Sequence, residues 1–364
     1  PQRSLDSFAW ELRQGMRARA TVLGDTGDSS PAGWESPLGS NDVHVIITAL
    51  APDTARLDAT LVRMREALQG LRGIEAIWRQ DCYSPLTGRE HFGYKDNIGQ
   101  PAIEGSGIPG SNPRELPLKA GEFVLGYPDE TGGLPPMPWP DVLGRNGTYV
   151  AFRKLHQRVA AFRRYLEANA SDMADAELLA AKMMGRWRSG APLALCPMHD
   201  DPALGADSQR NNDFAYGDDA IGYQTPIGAH IRRANPRDSA IAGVARLHRM
   251  IRRGTVYGPE LAEGVREDDG VDRGFMFAFI GAHLGRQFEF VQSEWIQEGD
   301  AFGLGDAKDP IVGAHDGAGS FSIAKRPIPR VLRGLPQFVV TRGGAYGFMP
   351  GLRALQWLAD PQPA

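Results

Sequence analysis

Apolar and polar positions along this chain follow two periods, and the places where the period changes mark its elements. Between residues 5 and 23 the apolar positions recur mostly at helical spacing, then give way to a loop rich in Gly, Ser, Pro and Asp. Residues 42–50, Asp-Val-His-Val-Ile-Ile-Thr-Ala-Leu, are dense in β-branched side chains and predict a strand. Ala55, Leu57, Leu61, Met64 and Leu68 then recur at helical intervals behind Asp53, a good N-cap residue, so a helix is predicted over 53–69. Residues 73–79 predict a second strand. From about 83 to 147 the chain is dense in Gly and Pro without a sustained period, and a stretch of that length in a compact protein carries function or wraps a neighbour.

The pattern restarts at Gly147. It predicts a strand over 148–155, helices over 157–168 and 172–187, strands over 248–257 and 274–280, a helix over 284–295 and a last strand over 337–346. With the insertions set aside this is βαββαβ, the ferredoxin-like order. The expected fold is therefore α+β, with two ferredoxin-like halves of the dimeric α+β barrel type: residues 1–146, which include the long loop, and residues 147–364. The first half offers only the last strand, helix and strand of such a unit, so it is expected to be incomplete at its N-terminus. A two-stranded sheet with one helix is marginal alone. Its missing strands are expected from a removed segment, another chain or a symmetry mate, which makes a homo-oligomer or a complementing N-terminal fragment the expected protein partner.

Charge and composition narrow the function. The chain of 364 residues has a formal net charge of −4 and no run of like charges, so it lacks a surface built to neutralise phosphates and nucleic acid is not an expected partner. No apolar run reaches the length of a bilayer, and the first residues show neither a basic nor an apolar leader region, so no membrane association is expected. Cys82 and Cys196 are too few for a disulfide framework and lack zinc-site spacing, which points to a reducing, cytoplasmic setting. The sequons at Asn146 and Asn169 would matter only after secretion.

Four clusters could carry chemistry. In Pro226-Ile-Gly-Ala-His-Ile-Arg-Arg-Ala-Asn-Pro-Arg237 one imidazole follows a Gly-containing approach and is set among arginines. Neutral imidazole is a natural axial ligand for haem iron, and guanidinium groups such as those of Arg233 and Arg237 suit haem propionates, although a lone His more often packs under a loop. In His91-Phe-Gly-Tyr-Lys-Asp-Asn-Ile-Gly-Gln-Pro101 an Asp in a Gly-rich turn could shuttle a proton over a ligand, with His91 a further cofactor contact; the same residues also make ordinary turns. In His248-Arg-Met-Ile-Arg-Arg-Gly-Thr-Val-Tyr-Gly258 strand alternation sends Arg252 and Arg253 to opposite faces, so one could point inward and stabilise negative charge on a bound oxygen species. Phe275, Phe277 and Phe279 alternate onto one strand face, which is more often core but could wall a cofactor pocket.

Taken in this order, the clusters resemble the dye-decolourising peroxidase family, and the resemblance runs from about Asp42 to about Ala354. The family's fold is two ferredoxin-like halves with haem b in the second. Its distal Gly-x-x-Asp-Gly pattern is similar to Gly93-Tyr94-Lys95-Asp96, with Asn97 in place of the last glycine, and implies Asp96 as the distal acid-base residue. It implies His230 as the proximal iron ligand, Arg252 as the distal arginine, and Phe275 and Phe277 as the apolar pair above the haem. A proximal imidazole usually donates its other N–H to a carboxylate, for which Asp309 is the first candidate and Asp306 and Asp316 compete.

The resemblance implies an enzyme that reduces hydrogen peroxide and oxidises small organic molecules such as dyes and phenolics by one-electron steps. Asn97 keeps a second reading in play, a haem-binding carrier or iron-release protein with little turnover. A chlorite-decomposing haem enzyme finds no motif here beyond an axial His, and an interaction module without haem would take up none.

Overall fold

The computed structural model describes residues 2–239 and 244–360. Six segments of the second half fold in the predicted order: strand β1 (Thr148–Gln157), helix α2 (Val159–Asn169), strands β2 (Ile251–Tyr257) and β3 (Gly274–Gly281), helix α5 (Leu284–Glu289 continuing through Val291–Ile296) and strand β6 (Val339–Met349). The strands pair antiparallel in the order β2-β3-β1-β6, which is the ferredoxin-like arrangement. The α+β class is thus as expected. Helix α5 is wound with wide, π-type turns rather than regular α-turns, a form concentrated at functional sites.

Residues directly opposite in an antiparallel pair share a face. Phe279 lies opposite Ala151 on β1 and Arg252 on β2, so one sheet face carries Tyr149, Ala151, Phe275, Phe277, Phe279 and Arg252. The helices cover this face. Phe288, Val291 and Trp295 of α5 bury Tyr149, Ala151, Phe279 and Tyr346, while α2 and α3 (Met173–Met184) enclose a second cluster around Phe162, Leu179 and Phe338. The opposite face, with Val150, Phe152 and Ile280, is only half covered.

The first half departs from expectation. Helix α1 (Thr54–Leu68) forms behind its N-cap, Asp53 accepting from the Arg56 amide at 2.8 Å, but none of its residues is buried. The segments at 42–50 and 73–79 form no strand ladder. Val45, Ile47, Leu50 and Ile74 are more than half exposed. Their composition favours a pleated strand, yet a strand exists only by pairing, and among the described residues neither finds a partner. Trp78 alone ties the second segment down, edge-on to Phe152 and bonded to Glu35.

Core packing runs across the 146/147 boundary. Met16, Leu23, Trp34 and Leu125 belong to the α5 core, and Phe92 and Tyr94 belong to the α2 core. The stretches before residue 40 and after residue 83 therefore wrap the second half. The predicted helix over 5–23 is broken into Trp10–Gln14 and a run of turns. The hairpin β4 (Gly319–Ile323) with β5 (Arg330–Leu335) and helix α6 (Leu352–Ala359) are among the elements that were not predicted. Both cysteines are free, and burial pushes each thiol up to about 11. Among the described residues no helix is long and apolar enough to cross a membrane.

Candidate functional site

Helix α4 (His230–Ala234) starts at the candidate ligand itself. The turn closed by the Ala229 amide on the Pro226 carbonyl (3.0 Å) delivers His230 to the first helical position. Its Nδ1 lies 2.9 Å from Oδ2 of Asp309, whose side chain is wholly buried. The other Asp309 oxygen accepts the Ile311 and Val312 amides, both at 2.9 Å. Burial pushes this carboxyl up, but the His230 charge and hydrogen bond, together with the Val312 amide, outweigh it and hold Asp309 below the ordinary carboxylate range. An ionised Asp309 fixes the proton on Nδ1. No described residue bonds Nε2, and His230 lines a cavity. Of the three candidate acids, the structure brings Asp309 to the imidazole; Asp316 instead caps the Ala318 amide.

That cavity lies between α4, the start of β2 and the turn at Ile98-Gly99, and four arginines line it: Arg186, Arg237, Arg249 and Arg252. Arg249 is paired with Glu115 at 2.8 Å. Arg186 and Arg237 bond backbone carbonyls and the Asn212 side-chain oxygen, with no carboxylate among their hydrogen-bond partners. Burial first, and the neighbouring arginine second, push Arg186 down to about 9, and burial pushes Arg237 down to about 10. A guanidinium keeps its proton in proteins, so the downward push expresses an unmet demand for negative charge. Phe214 supplies part of the missing stabilisation, its ring centroid 3.6 Å from the Arg237 guanidinium carbon.

On the far side, Arg252 points inward and Arg253 outward to solvent, as strand alternation requires. Arg252 Nη2 donates to the Ile98 carbonyl at 3.1 Å, and its burial pushes its pKa down while Asp96 pushes it up. Asp96 itself is exposed, at the end of a compact turn whose amide at Asp96 donates to the Gly88 carbonyl (3.2 Å). The turn is anchored from within: Glu90 accepts the Phe92 and Tyr94 amides at 2.9 Å each, and both aromatic rings are buried. Asn97 adopts φ 63°, the left-handed conformation that a glycine would take at this position.

Asp96, His91, Arg233, Phe275 and Phe277 all fall outside the cavity lining, which the distal turn reaches through Ile98 and Gly99. His91 is buried with Nε2 bonded to the Tyr257 carbonyl (2.8 Å), so it fastens the turn to β2 rather than facing the cavity. Arg233 is fully buried and spends four of its five N–H donors on the carbonyls of Gly228, Trp295, Glu298 and Ala307, so it staples the proximal loop to α5 instead of facing the cavity. Phe275 and Phe277 share the Arg252 face, with Phe275 lying over Gly254 and Phe277 beside Phe288 at 6.2 Å. The structure adds Arg186, Asn212, Arg249 and Gln100, none of which the motifs singled out.

No haem or other group is needed to see what the donor set accepts. An imidazole nitrogen without a hydrogen-bond partner among the described residues, its other nitrogen held by an ionised carboxylate, shares the cavity with Arg186 and Arg237, two cations without carboxylates. An iron macrocycle carrying two carboxylates meets both requirements. The cavity is narrow, with ≈ 60 Å³ of free space, so a flat cofactor enters only with lining side chains displaced.

No protein-family model matches the chain. It is 30% identical over 365 residues to dye-decolorizing peroxidase msp1 of Mycetinis scorodonius, an alignment covering 93% of this chain and 70% of that protein. It is 35% identical to dye-decolorizing peroxidase AauDyP1 of Auricularia auricula-judae, covering 90% and 67%. Among solved structures, an ancestral D-type dye decolorizing peroxidase superposes with a TM-score of 0.79 at 29% identity, over 96% of this chain and 80% of that one. A fungal DyP-type peroxidase from Auricularia auricula-judae superposes with a TM-score of 0.77 at 32% identity, over 93% and 78%.

Proposed function

Starting from the fact that the chain belongs to the dye-decolorizing peroxidase family and is a peroxidase of that kind, we propose that it binds haem b through Nε2 of His230 and that Asp96 and Arg252 act on the peroxide. The observation that carries this reading is the His230–Asp309 pair beside a cavity in which buried Arg186 and Arg237 have no carboxylate partner among the described residues.

Haem, when bound, supplies the iron that exchanges electrons with peroxide and with the organic reductant. The chain's residues do the rest. Asp309 keeps the proton on Nδ1 of His230, so that Nε2 presents a lone pair and a basic ring to the metal. Arg186 and Arg237 neutralise the two propionates. Asp96 takes a proton from the nearer peroxide oxygen and delivers it to the farther one, which leaves as water; its exposure lets it re-equilibrate with solvent between turnovers. Arg252 stabilises the negative charge that grows on the departing oxygen. Two electrons then come one at a time from a small organic reductant, and the net reaction converts peroxide, two protons and two electrons into two waters.

The rival reading, a carrier with little turnover, rested on Asn97. At φ 63° Asn97 keeps the turn that the glycine would make, which favours the peroxidase. An absorption spectrum before and after an equivalent of peroxide tests the proposal: haem bands that respond within the mixing time support it, and a protein that takes up no haem overturns it.

A further inference from the structure

We propose that Gln100 is a positioning residue for peroxide cleavage: it clamps the turn carrying Asp96 onto the backbone of Arg252 and so fixes one relative to the other. The inference deepens the proposed function and rests on the roles given there to Asp96 and Arg252.

Strand β2 is an edge of the sheet, and an edge leaves outward-pointing N–H and C=O groups without a strand partner. At Arg252 that pair is met by a side chain. Gln100 Oε1 accepts the Arg252 amide at 3.2 Å, and Gln100 Nε2 donates to the Arg252 carbonyl at 2.8 Å. A primary amide carries one acceptor and two N–H donors, so Gln100 imitates a neighbouring strand at one residue and still has a proton to spend. It spends it on Oδ1 of Asn97 at 3.0 Å. Asn97 follows Asp96 directly, and its left-handed backbone is what turns its side chain back to Gln100. Glycine at this position would keep the turn and lose the bond.

The same turn is held twice more. The Ile98 carbonyl accepts Arg252 Nη2 at 3.1 Å, so the guanidinium is oriented by the segment that Gln100 anchors. The Gln100 carbonyl accepts Ser111 Oγ at 3.2 Å, Ser111 Oγ accepts Asn212 Nδ2 at 3.0 Å, and Asn212 Oδ1 accepts Arg186 Nη2 at 2.9 Å. Removing the Gln100 amide therefore loosens the Asp96 turn on β2, where the Ile98 carbonyl and His91 still hold it, while leaving Asp96, Arg252 and His230 chemically unchanged. A misplacement of about 1 Å between groups that must act together costs on the order of a hundredfold in rate.

The test uses the haem-loaded protein and its cofactor-free form, with Gln100→Leu, Gln100→Glu and Asn97→Gly. Hydrogen-exchange mass spectrometry reads the amide of Arg252 and the peptide spanning 96–100. Stopped-flow mixing with peroxide across acid and neutral pH reads the bimolecular rate and its profile, and dye oxidation reads the KM for the reductant. In Gln100→Leu the Arg252 amide is expected to exchange about tenfold faster, the peroxide rate to fall about ten- to a hundredfold, the acid limb of the profile to move, and the dye KM to stay. Gln100→Glu keeps the acceptor and loses the donors, so it falls in between, and Asn97→Gly shows the smallest loss. Exchange and pH profile both unchanged in Gln100→Leu overturn the proposal, as does faster exchange with an unchanged rate and profile, which would make the clamp structural only. If Gln100→Leu does not fold, the graded order of the other two variants decides. A parent protein that binds haem and ignores peroxide defeats the proposed function and, with it, the catalytic half of this inference; exchange at Arg252 then still decides the clamp.

Discussion

Replacing Asp309 by Asn changes one atom's chemistry at the root of the site. The carboxylate accepts three hydrogen bonds, from His230 Nδ1, the Ile311 amide and the Val312 amide, all at 2.9 Å. The amide isostere can keep the two backbone bonds through Oδ1. Its NH₂ then replaces Oδ2 and faces Nδ1 of His230, so two donors oppose each other unless the imidazole moves its proton to Nε2. That tautomer has no lone pair on Nε2 and cannot ligate a metal. Holding the productive tautomer instead leaves a buried donor unmade, about 1–3 kcal/mol, which corresponds to roughly a ten- to hundredfold loss of haem affinity. Titration of the cofactor-free protein with haem, followed in the Soret region, reads this ratio. The pH dependence has a fixed sign: Asp309 is held below its unfolded pKa, so its contribution is complete above about pH 4 and is lost as pH falls through the lower folded value. The stability gap between parent and Asp309→Asn in urea should accordingly be flat near neutrality and close only in acid. Equal haem affinity for the two proteins would refute the tautomer argument.

Three further outcomes follow from the same geometry. His230→Ala should abolish the ligated haem spectrum and also lower the urea midpoint of the cofactor-free protein, because the buried Asp309 carboxylate loses its partner; a ligated spectrum in the variant would move the ligand elsewhere. Arg252→Leu should slow peroxide reduction by about a hundredfold or more with haem still bound, read by stopped flow. Arg186→Met should weaken haem binding yet leave the cofactor-free protein at least as resistant to urea, because a buried cation without a carboxylate partner is exchanged for an apolar chain of similar length.

Much of the second half was legible because its strands alternate and its helices repeat where the core demands it. The hairpin β4–β5 was not, since Ser320, Ser322 and Arg333 interrupt its apolar pattern and Pro327 and Pro329 crowd its turn. The segments near Val45 and Ile74 were read as strands from side chains alone, and the missing ingredient was a neighbour. In the site, His230 and Arg252 stood in recognisable patterns. Arg233 did too, yet its position on the first turn of α4 aims it at α5 instead of the cavity, and no periodicity in a five-residue helix reveals that. Arg186 and Asn212 meet only through tertiary structure, each in a segment without a motif.

Arg186 and Arg237 explain why this site is assembled from distant segments. Each guanidinium donates three hydrogen bonds, all to neutral acceptors, so neither has a carboxylate to balance its charge. A fold that needed only rigidity would gain by replacing them with apolar side chains. Keeping two such cations beside the imidazole proposed to bind the metal makes sense when the missing anions arrive with a ligand, and each carboxylate that arrives would relieve a cost already present in the cofactor-free protein. Cofactor affinity and the marginal stability of the empty site are then the same free energy seen from two sides. The distal side works differently. Arg252 is oriented by a backbone carbonyl and lies within the field of Asp96, so its charge is partly balanced without any ligand and stays available for charge that appears only during reaction.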